Sequence, residues 1–175
     1  PAMLRKMHLA KALNEDSWAV IRKDLDRRPV HGVTGLSGEN EIRFMLGKQG
    51  IFADRLELWG TGKPLREFLW SDDMADASVF VLENVDFVDT YSPGETQVRN
   101  CHINIGSGQE ISIRDLAILL SKQLDYAGRL EFNSDKPDGT MRKLTDVSKL
   151  EALGWRYSVE LEEGVALLYD WYKNN

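Results

Sequence analysis

Cysteine, histidine and long apolar runs are scarce in this sequence, and each scarcity excludes a class of protein. Because Cys101 is the one cysteine among 175 residues, the chain cannot form an internal disulfide, which fits a reducing cytoplasm. One cysteine and three scattered histidines do not give the ligand spacing of a zinc site, so we expect no structural metal. No apolar run approaches the roughly 20 residues that cross a bilayer.

Positive charge is also in short supply. The formal net charge of −6 argues against nucleic-acid binding, which depends on a basic face. With 42% hydrophobic and 29% charged residues, the chain can form a core and a soluble surface. The first dozen residues indicate an amphipathic helix rather than a signal peptide. Since the chain begins at Pro1 rather than at a methionine, we expect a fragment of a longer protein.

Three regions follow one another along the chain. Residues 1–13 have the apolar spacing of a short helix, and residues 14–55 are charged, with glycines at positions 32, 35 and 38. Within that segment the pattern predicts a helix near 39–48.

From Leu56 onward, short strand-like and helix-like segments alternate. Strands are predicted at 56–59, 102–105 and 130–132, and helices after Ser71 or Asp72, after Ser112, after Asp146, and from Leu161 to Tyr172. The alternation predicts an α/β fold, or α+β if the chain stands alone.

Two patterns imitate catalytic or cofactor motifs. The Gly-x-x-Gly-x-x-Gly spacing of residues 32–38 suits a dinucleotide loop, but Pro29 and two arginines precede it where a buried strand is needed. Tyr169 and Lys173 have the Tyr-x-x-x-Lys spacing of short-chain dehydrogenases, but they lie at the end of a helix whose other face is core-like. We interpret the first as a flexible loop and the second as surface residues.

The segment from Trp59 to Ala75 is denser in chemically useful residues. A glycine-proline turn separates Trp59, a flat surface for a sugar or base, from Arg66, whose planar fork suits phosphate oxygens. An equally direct alternative pairs Arg66 with Glu67 or Asp72 and packs Trp59 into the core. The residues alone do not decide between the two.

This segment resembles the extended short-chain dehydrogenase/reductase family, where a G-x-G-x-x-x-R-x-F-x-x-x-D-D pattern opens the substrate-binding part. Three later stretches resemble the same family, and together the motifs cover nearly all of residues 56–173. They are the strand and glycine turn at 102–108, the helix start at 111–117, and the D-x-x-K-x-x-x-L-G-W signature at 146–155.

Within that family the chain is most similar to the GDP-fucose synthases, NADPH-dependent epimerase/reductases acting on GDP-4-keto-6-deoxymannose. The similarity rests on Pro-Leu-Arg-Glu-Phe-Leu at 64–69, on Lys-Pro-Asp-Gly-Thr-Met-Arg-Lys at 136–143, and on the opening Pro-Ala-Met-Leu-Arg-Lys. Met141 departs from the usual proline.

The resemblance assigns four residues to a nucleotide-sugar site. It implies that Arg66 and Lys136 contact the pyrophosphate, that Trp59 lines the pocket, and that Lys6 approaches the sugar-nucleotide. Two cations on one pyrophosphate would make charge-assisted hydrogen bonds, the strong class. The plainer alternative is a solvated turn lysine for Lys136 and a solvated helix lysine for Lys6.

The resemblance also implies what this chain lacks. The family's catalytic residues and its NADP(H)-binding loop belong to an N-terminal domain, so we expect a C-terminal substrate-binding fragment, inactive alone, of a full-length homodimer. Cys101 and His102 imitate the family's acid/base pair, but they fall on the predicted strand, where a buried cysteine and a partly buried histidine are ordinary.

Residues 14–55 depart from compact synthases, which have a short connection there. We interpret them as an insertion that covers the pocket, mediates a dimer contact or decorates the surface. Two other functions stay open: an epimerase or dehydratase for a UDP- or dTDP-sugar, and a non-catalytic interaction module.

Overall fold

The computed structural model describes residues 2–91, 94 and 99–175. These ranges contain seven α-helices and five short strands, which confirms the predicted α/β class. The helices are α1 Ala2–Asn14, α2 Trp18–Arg27, α3 Glu39–Lys48, α4 Ser71–Asn84, α5 Ile113–Gln123, α6 Ser148–Ala152 and α7 Leu161–Asn174. The strands are β1 Arg55–Trp59, β2 Leu65–Glu67, β3 Glu110–Ser112, β4 Arg129–Asn133 and β5 Arg142–Lys143.

The chain divides into two compact units. The first consists of residues 1–64, 112–141 and 172–175, and the second of residues 65–111 and 142–171. The chain passes from the first unit to the second after Pro64 and again after Met141.

A two-stranded parallel sheet lies in the first unit. β1 pairs with β4 so that Leu56 stands opposite Leu130 and Leu58 opposite Phe132. Leu56 and Leu58 are buried, as the alternation in the sequence predicts for a half-buried strand.

Helices α1 and α5 supply much of the first unit's core. The buried side chains of α1 include Leu4, Met7, Leu9 and Leu13, and those of α5 include Leu116 and Leu120. Ser112 caps α5 as predicted, because its hydroxyl accepts a hydrogen bond from the Asp115 amide at 2.9 Å. The Asp115 carboxylate in turn accepts a hydrogen bond from the Ser112 hydroxyl at 2.5 Å.

The charged segment 14–55 contributes directly to this core. The helix predicted near 39–48 is confirmed as α3, which buries Ile42, Met45 and Leu46. Helix α2, which buries Ile21 and Leu25, was not predicted from the sequence, although Trp18, Ile21 and Leu25 have helical spacing.

A buried carboxylate ties three parts of the first unit together. Asp24 on α2 accepts hydrogen bonds from the Arg5 Nε and Nη2 atoms at 2.9 and 2.8 Å and from the Tyr172 hydroxyl. Arg28 lies within 3.9 Å of the same carboxylate and over the Tyr172 ring. Since a buried charge must be paired, Asp24 fixes α1 and the end of the chain against α2.

The second unit has a three-stranded sheet in the order β3-β2-β5 and its own apolar cluster. Ala77, Leu150 and Trp155 form the centre of the cluster, and the Trp155 indole donates to Asp76 at 2.8 Å. On the same helix as Ala77, Met74 and Leu82 are exposed.

Lys149, from the D-x-x-K signature, joins three backbone segments of the second unit. Its ammonium group donates to the carbonyl oxygens of Thr90, Asn100 and His102 at 2.8, 2.6 and 3.2 Å. The strand predicted at 102–105 is wrong: among the described residues this stretch belongs to neither sheet. Cys101 and His102 are therefore exposed rather than buried.

None of the helices in the described ranges has the length and apolar character needed to cross a membrane.

Asp73 anchors the start of α4 to the loop before α7. Only 6% exposed, it accepts from the Ser158 hydroxyl at 2.6 Å and from the Ser158 and Val159 amides at 3.2 and 3.0 Å. Burial alone would raise the pKa of Asp73, but the hydrogen bonds from Ser158 and Val159 hold it below its ordinary value.

We expect Asp73→Asn to lower the free energy of unfolding by about 1–3 kcal/mol, because a buried charged acceptor loses strong hydrogen bonds. A lowered pKa stabilises the folded state above the unfolded pKa, and this stabilisation is lost as pH falls through the folded pKa. Urea unfolding from pH 7 to pH 3 should therefore show a shallower acid decline in the variant. Asp72→Asn, in the same helical turn but exposed, is the matched control; equal effects of the two substitutions would contradict the anchoring role.

Candidate functional site

The carboxyl ends of β1 and β4 meet at one edge of the first unit's sheet. Trp59 ends β1 directly opposite Asn133, which ends β4. The Asn133 carbonyl accepts hydrogen bonds from the Gly60 amide at 2.9 Å and the Lys136 amide at 3.2 Å. The loops that leave both strands are therefore joined at their base, at the sheet edge where α/β proteins commonly bind ligands.

Trp59 and Lys136, two of the predicted site residues, meet above this edge. The Lys136 ammonium lies 5.4 Å from the centre of the Trp59 ring, within cation–π range. Trp59 is 63% exposed, so the alternative that it packs into the core is wrong. The pair presents a flat aromatic surface beside a positive charge, which suits a planar or anionic group.

Asp138 connects the same two loops at their tips. One carboxylate oxygen accepts from the Thr61 amide at 2.8 Å, and the other accepts from the Thr61 hydroxyl at 2.7 Å. These hydrogen bonds from Thr61 lower the pKa of Asp138. The sequence analysis did not single out Asp138, because aspartate before glycine is an ordinary turn residue.

Glycine is required twice in the turn after β1. Gly60 and Gly62 have φ angles of +83° and +77°, where other residues are strained. A Cβ on Gly60 would stand 2.3 Å from an Asp138 oxygen, and one on Gly62 would stand 2.6 Å from the Phe132 ring. The glycines allow the turn to pack directly against the 132–138 stretch.

Lys6 lies on α1 and is half-buried. Its ammonium donates to the Gln49 carbonyl at 2.7 Å, at the end of the charged segment. Burial lowers the pKa of Lys6, and the nearby Glu57 charge partly opposes the shift. The structure thus gives Lys6 a backbone partner and does not bring it into the Trp59–Lys136 pair.

Arg66 occupies the central strand of the second unit's sheet. Its Nη1 atom donates to the Leu65 carbonyl at 2.6 Å. In the parallel pairing of β2 with β5, Arg66 stands opposite Lys143 and Leu65 opposite Arg142. Partners in register project to the same face, so Arg66 shares its face with the exposed Lys143.

Arg142 and Lys143 have different surroundings although they are neighbours. Arg142 pairs with Glu110 at 2.8 Å. Both cations line a groove of about 590 Å³ in the second unit, together with Gly108, residues 144–148 and Glu151. Lys143 was not predicted from the sequence; its signal was the second cation at the end of the Lys136–Lys143 motif.

Glu67 holds Arg66's strand in place. Its carboxylate accepts from the Gly108 amide at 2.7 Å, the Thr145 amide at 3.0 Å and the Ser107 hydroxyl at 3.5 Å. Burial would raise the pKa of Glu67, but these hydrogen bonds lower it overall. Glu67 is thus bound to the glycine turn that follows residues 102–105.

The glycine pattern at 32–38 does not have the geometry of a dinucleotide loop. It follows helix α2 rather than a strand, and α3 begins after it with Glu39 and Glu41 in the first turn, where they disfavour a pyrophosphate. Arg22 donates to Gly35 and Ser37 carbonyls, and the space beside Gly35 is occupied by Asp26. Side chains of α2 therefore hold the Gly35–Ser37 part of the loop.

The second imitation motif lies on α7. Tyr169 is half-buried and Lys173 is exposed, as expected for surface residues of an end-of-chain helix. In the described part of the chain, histidine, cysteine and acidic side chains form no group of three or more that could hold a metal ion.

Comparison with known proteins links these features to one family. The model of the NAD dependent epimerase/dehydratase family matches residues 30–106. GDP-L-fucose synthase 1 of Arabidopsis thaliana is 50% identical over 123 residues, a match covering 70% of this chain and 34% of that protein.

Two solved structures from Campylobacter jejuni match nearly the whole chain. A GDP-6-OMe-4-keto-L-xylo-heptose reductase superposes with a TM-score of 0.88 at 39% identity, covering 99% of this chain and 47% of its own. A GDP-D-glycero-L-gluco-heptose synthase superposes with a TM-score of 0.82 at 38% identity, covering 100% and 46%.

The chain resembles the extended short-chain dehydrogenase/reductase superfamily, as its motifs predict. Within that superfamily it is a relative of the GDP-L-fucose synthases. It spans about a third of the length of the curated relatives and about half of the solved chains that it matches.

Substitution of Gly62 should lower the free energy of unfolding more than substitution of a glycine that has open space around it. We expect Gly62→Ala to lower the free energy of unfolding by about 2–4 kcal/mol, the sum of positive-φ strain and overpacking against Phe132. Gly32, also at φ +83° but with no atom within 4 Å of a Cβ, is the matched control, since Gly32→Ala adds strain alone. Urea unfolding measures both; a Gly62→Ala effect no larger than that of Gly32→Ala would contradict the close packing of the turn.

Proposed function

We propose that this chain is the GDP-sugar-binding part of an NADPH-dependent epimerase/reductase that converts GDP-4-keto-6-deoxy-D-mannose to GDP-L-fucose. The observation that carries the proposal is the exposed Trp59–Lys136 pair at the carboxyl edge of β1 and β4. The identity to GDP-L-fucose synthases supports the choice of nucleotide sugar.

Arg66 and Lys136 are the proposed contacts of the diphosphate. The family resemblance assigns both to the pyrophosphate, and Arg66 shares its sheet face with a further cation, Lys143. A diphosphate offers several anionic oxygens, and a guanidinium can hold two of them with parallel hydrogen bonds. We therefore add Lys143 to the proposed contacts, and Trp59 supplies a flat surface beside Lys136.

Lys6 stays the weakest member of the proposed site. Its ammonium group already donates to Gln49, and its half-buried position lowers its pKa. To contact the sugar-nucleotide it would exchange or share that backbone partner.

Catalysis and hydride transfer belong to other residues of the full-length enzyme in this proposal. NADPH would supply the hydride for the reduction step, and the glycine turn at 32–38 does not fit its pyrophosphate. The chain therefore binds and orients the substrate, and we expect no turnover from residues 1–175 alone. The full-length protein is expected to be a cytoplasmic homodimer, as the resemblance implies.

A GDP-heptose is the second candidate for the sugar. The two C. jejuni GDP-heptose enzymes match 99–100% of this chain, including residues 14–55, whereas the GDP-L-fucose synthase match covers 70%. Residues 14–55 would then belong to a form of the domain that accepts a larger sugar. Both candidates share the GDP moiety and the same cationic contacts.

Loss of the Arg66 guanidinium should weaken GDP binding most. We expect Arg66→Ala to raise the Kd for GDP about 10- to 100-fold in calorimetric titration, since charge-assisted hydrogen bonds contribute about 1.5–3 kcal/mol. Arg129→Ala, which removes the same charge from the opposite end of β4, where Arg129 pairs with Asp54 at 2.8 Å, is the control and should leave the Kd within about threefold. GDP binding that is unaffected by Arg66→Ala would contradict the proposed contact between Arg66 and the diphosphate.

Competition among nucleotides distinguishes the alternatives. GDP should displace a fluorescent GDP analogue more effectively than UDP or dTDP, because the A. thaliana GDP-L-fucose synthase and the C. jejuni GDP-heptose enzymes are 38–50% identical to the chain, whereas a putative UDP-glucose 4-epimerase is 26% identical. A preference for UDP or dTDP would favour the epimerase or dehydratase alternative, and no binding of any nucleotide would favour an interaction module. Between the GDP-sugars, tighter binding of GDP-heptose than of GDP-fucose would select the second candidate.

A further inference from the structure

We propose that Asp138 is a positioning residue that aims Lys136 at the bound nucleotide by clipping the loop after β4 to the turn after β1. The inference rests on the proposed function for its ligand. Asp138 itself need not touch the nucleotide, and its action passes through Thr61 and the loop that carries Lys136.

The geometry gives Asp138 a single partner residue for both of its carboxylate oxygens. One oxygen takes the Thr61 amide at 2.8 Å and the other takes the Thr61 hydroxyl at 2.7 Å. Thr61 lies 77 residues earlier in the sequence, so the two bonds fix one loop against the other. The Thr61 hydroxyl also accepts from the Lys63 amide at 3.2 Å, which orients it toward Asp138.

Lys136 lies between two attachments of the same loop. At the base, the Asn133 carbonyl holds both the Gly60 and Lys136 amides. At the tip, two residues beyond Lys136, Asp138 holds Thr61. A loop fixed on both sides of a lysine restricts the directions that its ammonium can take, and this restriction lowers the entropy lost on binding.

The turn is built to receive this carboxylate. Gly60 has positive φ, and a Cβ there would stand 2.3 Å from an Asp138 oxygen. The guanidinium of Arg114 donates to the Thr61 carbonyl at 3.0 Å, so Thr61 is held on its other side as well. The turn after β1 therefore leaves space for the Asp138 carboxylate and holds its partner, Thr61, in place.

Electrostatics alone would argue against an aspartate at this place. A carboxylate near a site for an anion repels the ligand, by about 1 kcal/mol at 4 Å in water. Its removal should therefore tighten GDP binding if charge were all that mattered. If Asp138 positions Lys136, its removal should instead weaken GDP binding, so the direction of the change in Kd distinguishes the two effects.

The test uses calorimetric titration of the full chain with GDP. We expect Asp138→Asn to raise the Kd about tenfold, because the amide can no longer accept both Thr61 hydrogen bonds. Asp135→Asn removes the same charge from the same exposed loop without a Thr61 contact, and it should leave the Kd unchanged or slightly lower. An Asp138→Asn Kd equal to or below the wild-type value would overturn the proposal.

A double-mutant cycle separates positioning from general destabilisation. Lys136→Met should weaken GDP binding about tenfold in the wild-type background but less than about threefold in the Asp138→Asn background, where the lysine is no longer aimed. A variant that is merely less stable would keep the full effect of Lys136→Met. Additive effects in the cycle would therefore contradict the proposal.

Amide hydrogen exchange tests the clip without any ligand. Exchange at the Thr61 amide should accelerate in Asp138→Asn and stay slow in Asp135→Asn. Unchanged exchange in Asp138→Asn would overturn the clip even if GDP binds. Failure of the wild-type chain to bind GDP, with faster Thr61 exchange in Asp138→Asn, would overturn the proposed function and the role in binding but not the clip.

Discussion

The parallel pairing of β1 with β4 is the constraint on which the candidate site depends. These strands are 70 residues apart in sequence and share two buried leucines, an aromatic ring and a run of ladder hydrogen bonds, with Leu56 opposite Leu130 and Leu58 opposite Phe132. Because the strands are parallel, both end at the same edge. Trp59 and Lys136 meet there only because the pairing keeps this register.

The two loops that leave this edge continue directly into a second parallel pair. β2 follows the turn after β1, and β5 follows the loop after β4, so Arg66 stands opposite Lys143. Glu67, next to Arg66, accepts three hydrogen bonds from the segments that surround β2. In each unit a carboxylate accepts hydrogen bonds that fix the backbone near a cation. Asp138 does so near Lys136 in the first unit, and Glu67 does so near Arg66 in the second.

Local patterns in the sequence predicted much of the fold. The alternation at 56–59, the leucine spacing after Ser112 and the apolar steps of α3 each reflect burial of one face, and the structure confirms them. The strand predicted at 102–105 and the predicted burial of Cys101 were wrong, because these depend on which neighbours the chain supplies. Helical or alternating spacing shows that a face is apolar but not what covers it.

The sequence motifs predicted Trp59, Lys136 and Arg66 as site residues but not Asp138 or Lys143. A hydrogen bond between residues 77 positions apart and a strand register cannot be predicted from a short stretch of sequence.

The most direct test of the proposed site is a crystal structure of the chain with GDP. The account predicts diphosphate oxygens within about 3 Å of the Arg66 guanidinium and the Lys136 ammonium. GDP ordered elsewhere on the chain, with both cations away from the phosphates, would contradict it.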